Sequence, residues 1–301
     1  MLTTIARALL LIAVVAAPAS LFARPQSDSA TPKSVQSGYA QVDGTELYYE
    51  ISGTGAPLVM LHGGVDPSQT YGAPLNAMAK HFKVIAIHAR GHGRSKDTPA
   101  PWSFEQAADD VAAVLKQLKI PKASVMGYSF GGGIALQFAI RHPDMLDKLV
   151  VVSAGFSSKG EYPETKVAFE QMPGMADKIG AEIASSPLGK TYPDVNWPTL
   201  MRKTGALGMK DSDWSAGVRA IKARTLLIFA DADAIPPEHI AAFYKLLGGG
   251  QRDAGLDGSM RSPNQLAVVP GMTHYTIMES PATIGFATDF LQSKEVGKNV
   301  P

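Results

Sequence analysis

From Gly38 onward, short apolar runs alternate with longer amphipathic stretches, the pattern of a mostly parallel sheet covered by helices on both faces. GYAQVDGTELYYEISG (38–53) alternates apolar and polar positions around Asp43-Gly44, a hairpin signal, and predicts two antiparallel strands that open the sheet. APLVMLHGG (56–64) and FKVIAIHARGHGRS (82–95) each read as a buried strand running into a glycine-bearing loop. SFEQAADDVAAVLKQLKI (103–120) predicts a helix: Ser103 is placed to cap it, and Val111, Val114, Leu115 and Leu118 share one face. ASVMG is the next strand, and GGIALQFAIRHPDML is a helix that Pro143 ends. KLVVVSAG, RTLLIFAD and QLAVVPG complete eight strands, and PATIGFATDFLQS reads as the closing helix. LLGGGQRDAGLDGSMRSPN is a long excursion before the last strand.

One segment breaks the alternation. Residues 157–220 contain no clear strand and are loaded with Met172, Met175, Met201, Met209, Phe169, Tyr162, Tyr192, Trp197 and Trp214, punctuated by prolines. Lying between two core strands, they predict a small helical cap. The core is then divided into 38–156 and 221–301.

The N-terminus has a separate character. One early cation, Arg7, precedes an apolar run from Ala8 to Ala17, and Ala17-Pro18-Ala19 supplies small residues of the kind a signal peptidase reads. The run is short of the roughly 20 apolar residues of a membrane span. A second cut is available after Ala23, so residues 1–23 are expected to be a cleavable signal peptide and 24–37 a polar spacer rich in Ser and Pro. The expectation is export, to a periplasm or outside the cell, with no membrane association after cleavage.

Bulk composition narrows the chemistry. The chain has 301 residues, a formal net charge of +1 and 45% hydrophobic residues, so no basic field favours nucleic acid. It has no cysteine, which removes disulfides, thiolate metal sites and a cysteine nucleophile. The seven histidines lack metal-ligand spacing such as HExxH, and neither a metal nor a cofactor is expected.

What remains is a serine. Gly127-Tyr128-Ser129-Phe130-Gly131 lies between an apolar strand and a glycine-opened helix. A serine at so sharp a strand-to-helix bend needs glycine two residues before and two after, and it sits where helix N–H groups favour a developing oxyanion. A serine hydroxyl needs a base. His142 stands at a helix end, His81 and His239 fit surface or core positions, and His62 and His92 belong to glycine-rich loops. His274, by contrast, follows the last strand through a short loop at the carboxyl edge of the sheet, where catalytic groups collect in parallel sheets. The orienting acid is Asp231 or Asp233, both at the end of RTLLIFADAD. Asp231 is placed to bond loop backbone, and Asp233, further along, to reach His274. The backbone N–H groups of Phe130 and of Gly64, after the strand LVML, are the candidate oxyanion donors.

In this order of serine, acid and histidine the chain resembles the α/β-hydrolase superfamily, and more narrowly the small esterase, enol-lactonase and cofactor-free haloperoxidase group. The residues that carry the resemblance are LHGG at 61–64, ARGHGRS at 89–95, GYSFGGG at 127–133, ADAD from 230 and PGMTH at 270–274. Two positions depart from the family pattern: His88, where relatives usually carry an acid, and Ala230, where glycine is common. Epoxide hydrolases and dehalogenases carry an aspartate where Ser129 stands. The resemblance implies an eight-stranded α/β fold and a cap that contributes to specificity. It also implies acyl transfer on a small-molecule ester or lactone, with cofactor-free perhydrolysis or C–C bond hydrolysis as alternatives. A binding protein that kept the fold without turnover is the reading from another class.

Overall fold

The computed structural model describes residues 36–294, apart from the side chains of residues 68 and 69. The expected signal peptide and nearly all of the expected spacer lie outside the described residues. The spacer boundary needs correction by two residues: Gln36 and Ser37 already pair with Ile51 and Glu50, because the alternating pattern extends the hairpin register to the start of the first strand.

Eight strands form one sheet: β1 (Gln36–Val42), β2 (Thr45–Ser52), β3 (Pro57–Leu61), β4 (Lys83–Ile87), β5 (Ala123–Tyr128), β6 (Leu146–Val152), β7 (Arg224–Ala232) and β8 (Gln265–Thr273). Their spatial order is β1-β2-β4-β3-β5-β6-β7-β8. β1 and β2 form the predicted hairpin, β2 meets β4 antiparallel, and the remaining pairs are parallel.

Period-two alternation divides the strand side chains between two cores. Val59, Leu61, Val125 and Val151 face one layer, which holds α3 (Phe104–Gln117), α4 (Phe130–Arg141) and α9 (Pro237–Leu246). Leu58, Met60, Met126 and Val150 face the other, with α2 (Ala73–Met78) and α10 (Pro281–Gln292). The short helix α1 (Ser68–Tyr71) precedes α2. Ser103 caps α3 as its sequence position suggests, its side chain accepting the Gln106 N–H at 3.1 Å.

Between β6 and β7 the chain is helical: α5 (Pro163–Ser185), α6 (Pro187–Thr191), α7 (Trp197–Gly208) and α8 (Ser215–Ala220). Met172, Ala176, Ile183, Trp197, Leu200 and Met201 close over one another and over Trp102, with Val65 and Phe130 packed against them. The third apolar cluster is thus built against loops at the carboxyl edge of the sheet. α8 belongs elsewhere. Val218 joins the core shared by α3 and α4, and Gly217 lies so near Ile140 that a Cβ there would come within 2.7 Å of it.

Candidate active site

The turn from β5 to α4 places Ser129 in left-handed backbone, φ 53° and ψ −114°, a conformation that costs a non-glycine residue energy and persists only where its surroundings enforce it. The Ser129 N–H donates to the Val152 carbonyl at 2.9 Å, and its own carbonyl accepts from Gly133 at 3.1 Å. The flanking glycines are required by close approach. A Cβ at Gly127 would collide with the Gly131 carbonyl, and one at Gly131 would strike the Leu61 and His62 carbonyls. The bend therefore presents Ser129 Oγ at the carboxyl edge of the sheet.

The turn after β8 brings His274 across that edge. Ser129 Oγ stands 3.0 Å from His274 Nε2, and His274 Nδ1 stands 3.0 Å from Asp233 Oδ1. An ionised carboxylate only accepts, so Nδ1 carries the proton and Nε2 is left to accept from the serine hydroxyl. The Asp233 side chain is only 1% exposed. Burial pushes its carboxyl pKa up. The bonds from His274, Ser153 and the Ala230 N–H outweigh burial and hold it below the usual carboxylate range. Asp231 does not reach the imidazole. Its two oxygens accept the Gly271 and Met272 N–H groups at 3.0 and 3.2 Å, pinning the stem of the loop that carries His274.

Phe130 opens α4, so its N–H has no carbonyl one turn earlier within the helix to bond. Gly64 lies alongside, where a Cβ would be 3.8 Å from that of Phe130. The orientation of the Gly64 N–H is set by His62, whose Nδ1 donates to the Gly63 carbonyl at 2.6 Å. That carbonyl and the Gly64 N–H belong to one trans peptide plane, so drawing the oxygen toward His62 turns the N–H the other way. His62 Nε2 accepts the Ala89 N–H at 3.0 Å. Burial lowers the His62 pKa to about 4 and keeps the ring neutral.

Around the site, the 89–95 loop is a scaffold. Arg90 grips the buried Asp110 through two bonds, of 2.5 and 2.7 Å. His88 accepts the Arg94 N–H through Nδ1 at 3.0 Å and stacks on Tyr71. Two other histidines have structural partners: His142 bonds Asp109 at 2.7 Å, and His239 accepts the Phe156 N–H at 3.2 Å and stacks on the Phe156 ring.

Ser153, at the end of β6, lies outside every motif in the sequence. Its hydroxyl donates to Asp233 Oδ2 at 2.5 Å, its N–H donates to the Ile228 carbonyl at 2.9 Å, and its φ is 50°. Only the polar residue following the apolar run KLVVV could have drawn attention to it.

A mostly parallel sheet of this strand order, with a strained serine at the β5–α4 turn and a histidine after β8, defines the α/β-hydrolase fold. The family model described as the alpha/beta hydrolase fold matches residues 56–196. The chain belongs to this superfamily. A proposed non-heme haloperoxidase of Mycobacterium phage D29 is 31% identical over 191 residues, covering 63% of this chain and 68% of the phage protein. A protein of Mycobacterium tuberculosis is 35% identical over 136 residues, 45% of this chain but only 39% of its own length, so this chain matches well under half of that relative. Among solved structures, the enol-lactonase of Burkholderia xenovorans LB400 superposes with a TM-score of 0.65 at 23% identity, covering 85% of this chain and all of the lactonase.

Proposed function

We propose that this protein is a serine hydrolase cleaving a carboxylic ester or lactone of a small, partly apolar molecule. In this reading His274 Nε2 takes the proton as Ser129 Oγ attacks the carbonyl carbon. The charge on the carbonyl oxygen is met by the Phe130 and Gly64 N–H groups. The imidazolium then protonates the leaving alcohol. Water, deprotonated by the same imidazole, attacks the acyl-enzyme and releases acid and serine. Asp233 fixes the imidazole tautomer and stabilises its charged form without taking the proton. The observation that carries the reading is the continuous relay Ser129–His274–Asp233, each link 3.0 Å long, ending on a serine held in strained backbone.

The helices α5–α7 are proposed to form the cap of this site. Their Met and aromatic side chains, packed against Val65 and Phe130 beside the oxyanion donors, favour a substrate with an apolar acyl or alcohol portion. A panel of p-nitrophenyl esters and lactones tests the reading: short and medium esters are expected to be cleaved, and Ser129→Ala to abolish cleavage. Unchanged turnover in Ser129→Ala removes serine as the nucleophile.

The likeness to the phage protein favours one second reading, perhydrolysis, in which hydrogen peroxide replaces water in deacylation and a peracid leaves. Peroxide-dependent halogenation that exceeds ester hydrolysis would select it.

A further inference from the structure

Tyr128 precedes the nucleophile and takes no part in the relay, yet it touches both halves of the site. Its side chain is 4% exposed. The phenol donates to the backbone carbonyl of His274 at 2.7 Å, joining strand β5 to the base's own residue. The ring centroid lies 5.7 Å from that of the imidazole. The same ring lies directly against Gly63, where a Cβ would come within 2.7 Å of Tyr128 Cε1 and 2.9 Å of Cδ1. Gly63 is the residue whose carbonyl fixes the direction of the Gly64 N–H.

We infer that Tyr128 is a positioning residue that holds the His274 loop and the oxyanion loop against a single side chain beside the nucleophile. The inference rests on the serine-hydrolase reading above. Apart from the imidazole's own bonds to Ser129 and Asp233, the other side-chain bonds of the His274 loop hold its stem or close it on itself. Asp231 takes Gly271 and Met272, while the Thr276 hydroxyl accepts the Thr273 N–H at 3.0 Å. The phenol bond fixes the loop at the level of the base, where a small drift of the imidazole lengthens the 3.0 Å contact to Ser129. Burial first, and then the nearby Asp233 charge, raise the phenol pKa, so the hydroxyl keeps its proton and stays a donor.

The test is Tyr128→Phe in the full chain, which keeps the ring against Gly63 and removes only the bond to His274. Turnover of a p-nitrophenyl ester and the rate of labelling by a fluorophosphonate are expected to fall about tenfold. KM should stay within about twofold and the melting temperature within about 4 °C. The low-field imidazole N–H proton resonance of His274 should broaden as the ring loosens from Asp233. Wild-type labelling and turnover in the variant would overturn the inference. So would loss of the fold, or a loss of activity that only follows the folded fraction, since either makes Tyr128 a stability residue. If the wild-type protein is itself neither labelled nor active, the serine-hydrolase reading fails, and the resonance still reports whether the phenol holds the imidazole.

Discussion

Ser153 holds left-handed backbone at φ 50°, buried to 1% exposure, and directs its hydroxyl at the outer oxygen of Asp233. Strain of this kind at a non-glycine residue is retained where the side chain has a job. Ser153→Ala removes a bond to a charged acceptor, the stronger class of hydrogen bond. Turnover is expected to fall about tenfold or more, with KM little changed, in steady-state ester kinetics. Ser153→Gly should be as slow as Ser153→Ala but melt higher than it, because glycine accepts the backbone without strain. Asp233 has a pH signature whose sign follows from its depressed pKa. Its contribution to stability is fully present above the unfolded carboxyl value of 3.8 and is lost as pH falls through the folded one. The melting gap between the wild type and Asp233→Asn, widest near neutral pH, should therefore close below pH 3.8.

Among the elements, the β5–α4 turn is packed tightly against backbone that cannot give way. Gly131→Ala would drive a methyl into the Leu61 and His62 carbonyls, which are backbone and cannot step aside. Overpacking of this kind costs about 1–3 kcal/mol, so the variant should unfold at lower urea and lose activity with the displaced serine. The turn was legible in the sequence because its signals are local: a strand, a serine between spaced glycines, and a helix. The same holds for the Ser103 cap and the Asp43-Gly44 hairpin. Asp231 and Asp233 could be told apart by distance along the loop, since only the later one clears the strand end. Ser153 and Tyr128 could not be read this way, because each acts through a partner far away in sequence, Asp233 and His274. The end of the predicted cap segment was obscured for a similar reason. Val218 and Gly217 look like the rest of a mixed, strandless stretch, and only packing on Ile140 assigns α8 to the layer beside the sheet.

Across the whole molecule, three buried histidines connect the loops at the carboxyl edge and set a stability dependence on pH. His62 lies 5.0 Å from His92 and 6.1 Å from His88 between ring centroids. Burial lowers their pKa values to about 4 for His62 and about 3 for His88 and His92. Each is neutral when folded and takes up a proton on unfolding below its ordinary value of 6.5. Stability is complete above that value and falls as pH drops toward the folded values, by about 1.4 kcal/mol per pH unit for each proton. Urea unfolding between pH 6 and 4 should show this contribution, and His92→Phe, which keeps a ring against Phe130, should lower the slope by about one proton. Exchanging α5–α7 for the cap of another family member should change chain-length preference in an ester panel while fluorophosphonate labelling continues, because the relay lies wholly outside those helices. Mass spectrometry of the folded protein after fluorophosphonate treatment tests most directly whether Ser129 is the activated nucleophile. The expected result is one equivalent of label on Ser129 and none on Ser129→Ala. Folded wild-type protein that takes no label, or label on another residue that persists in Ser129→Ala, would contradict it.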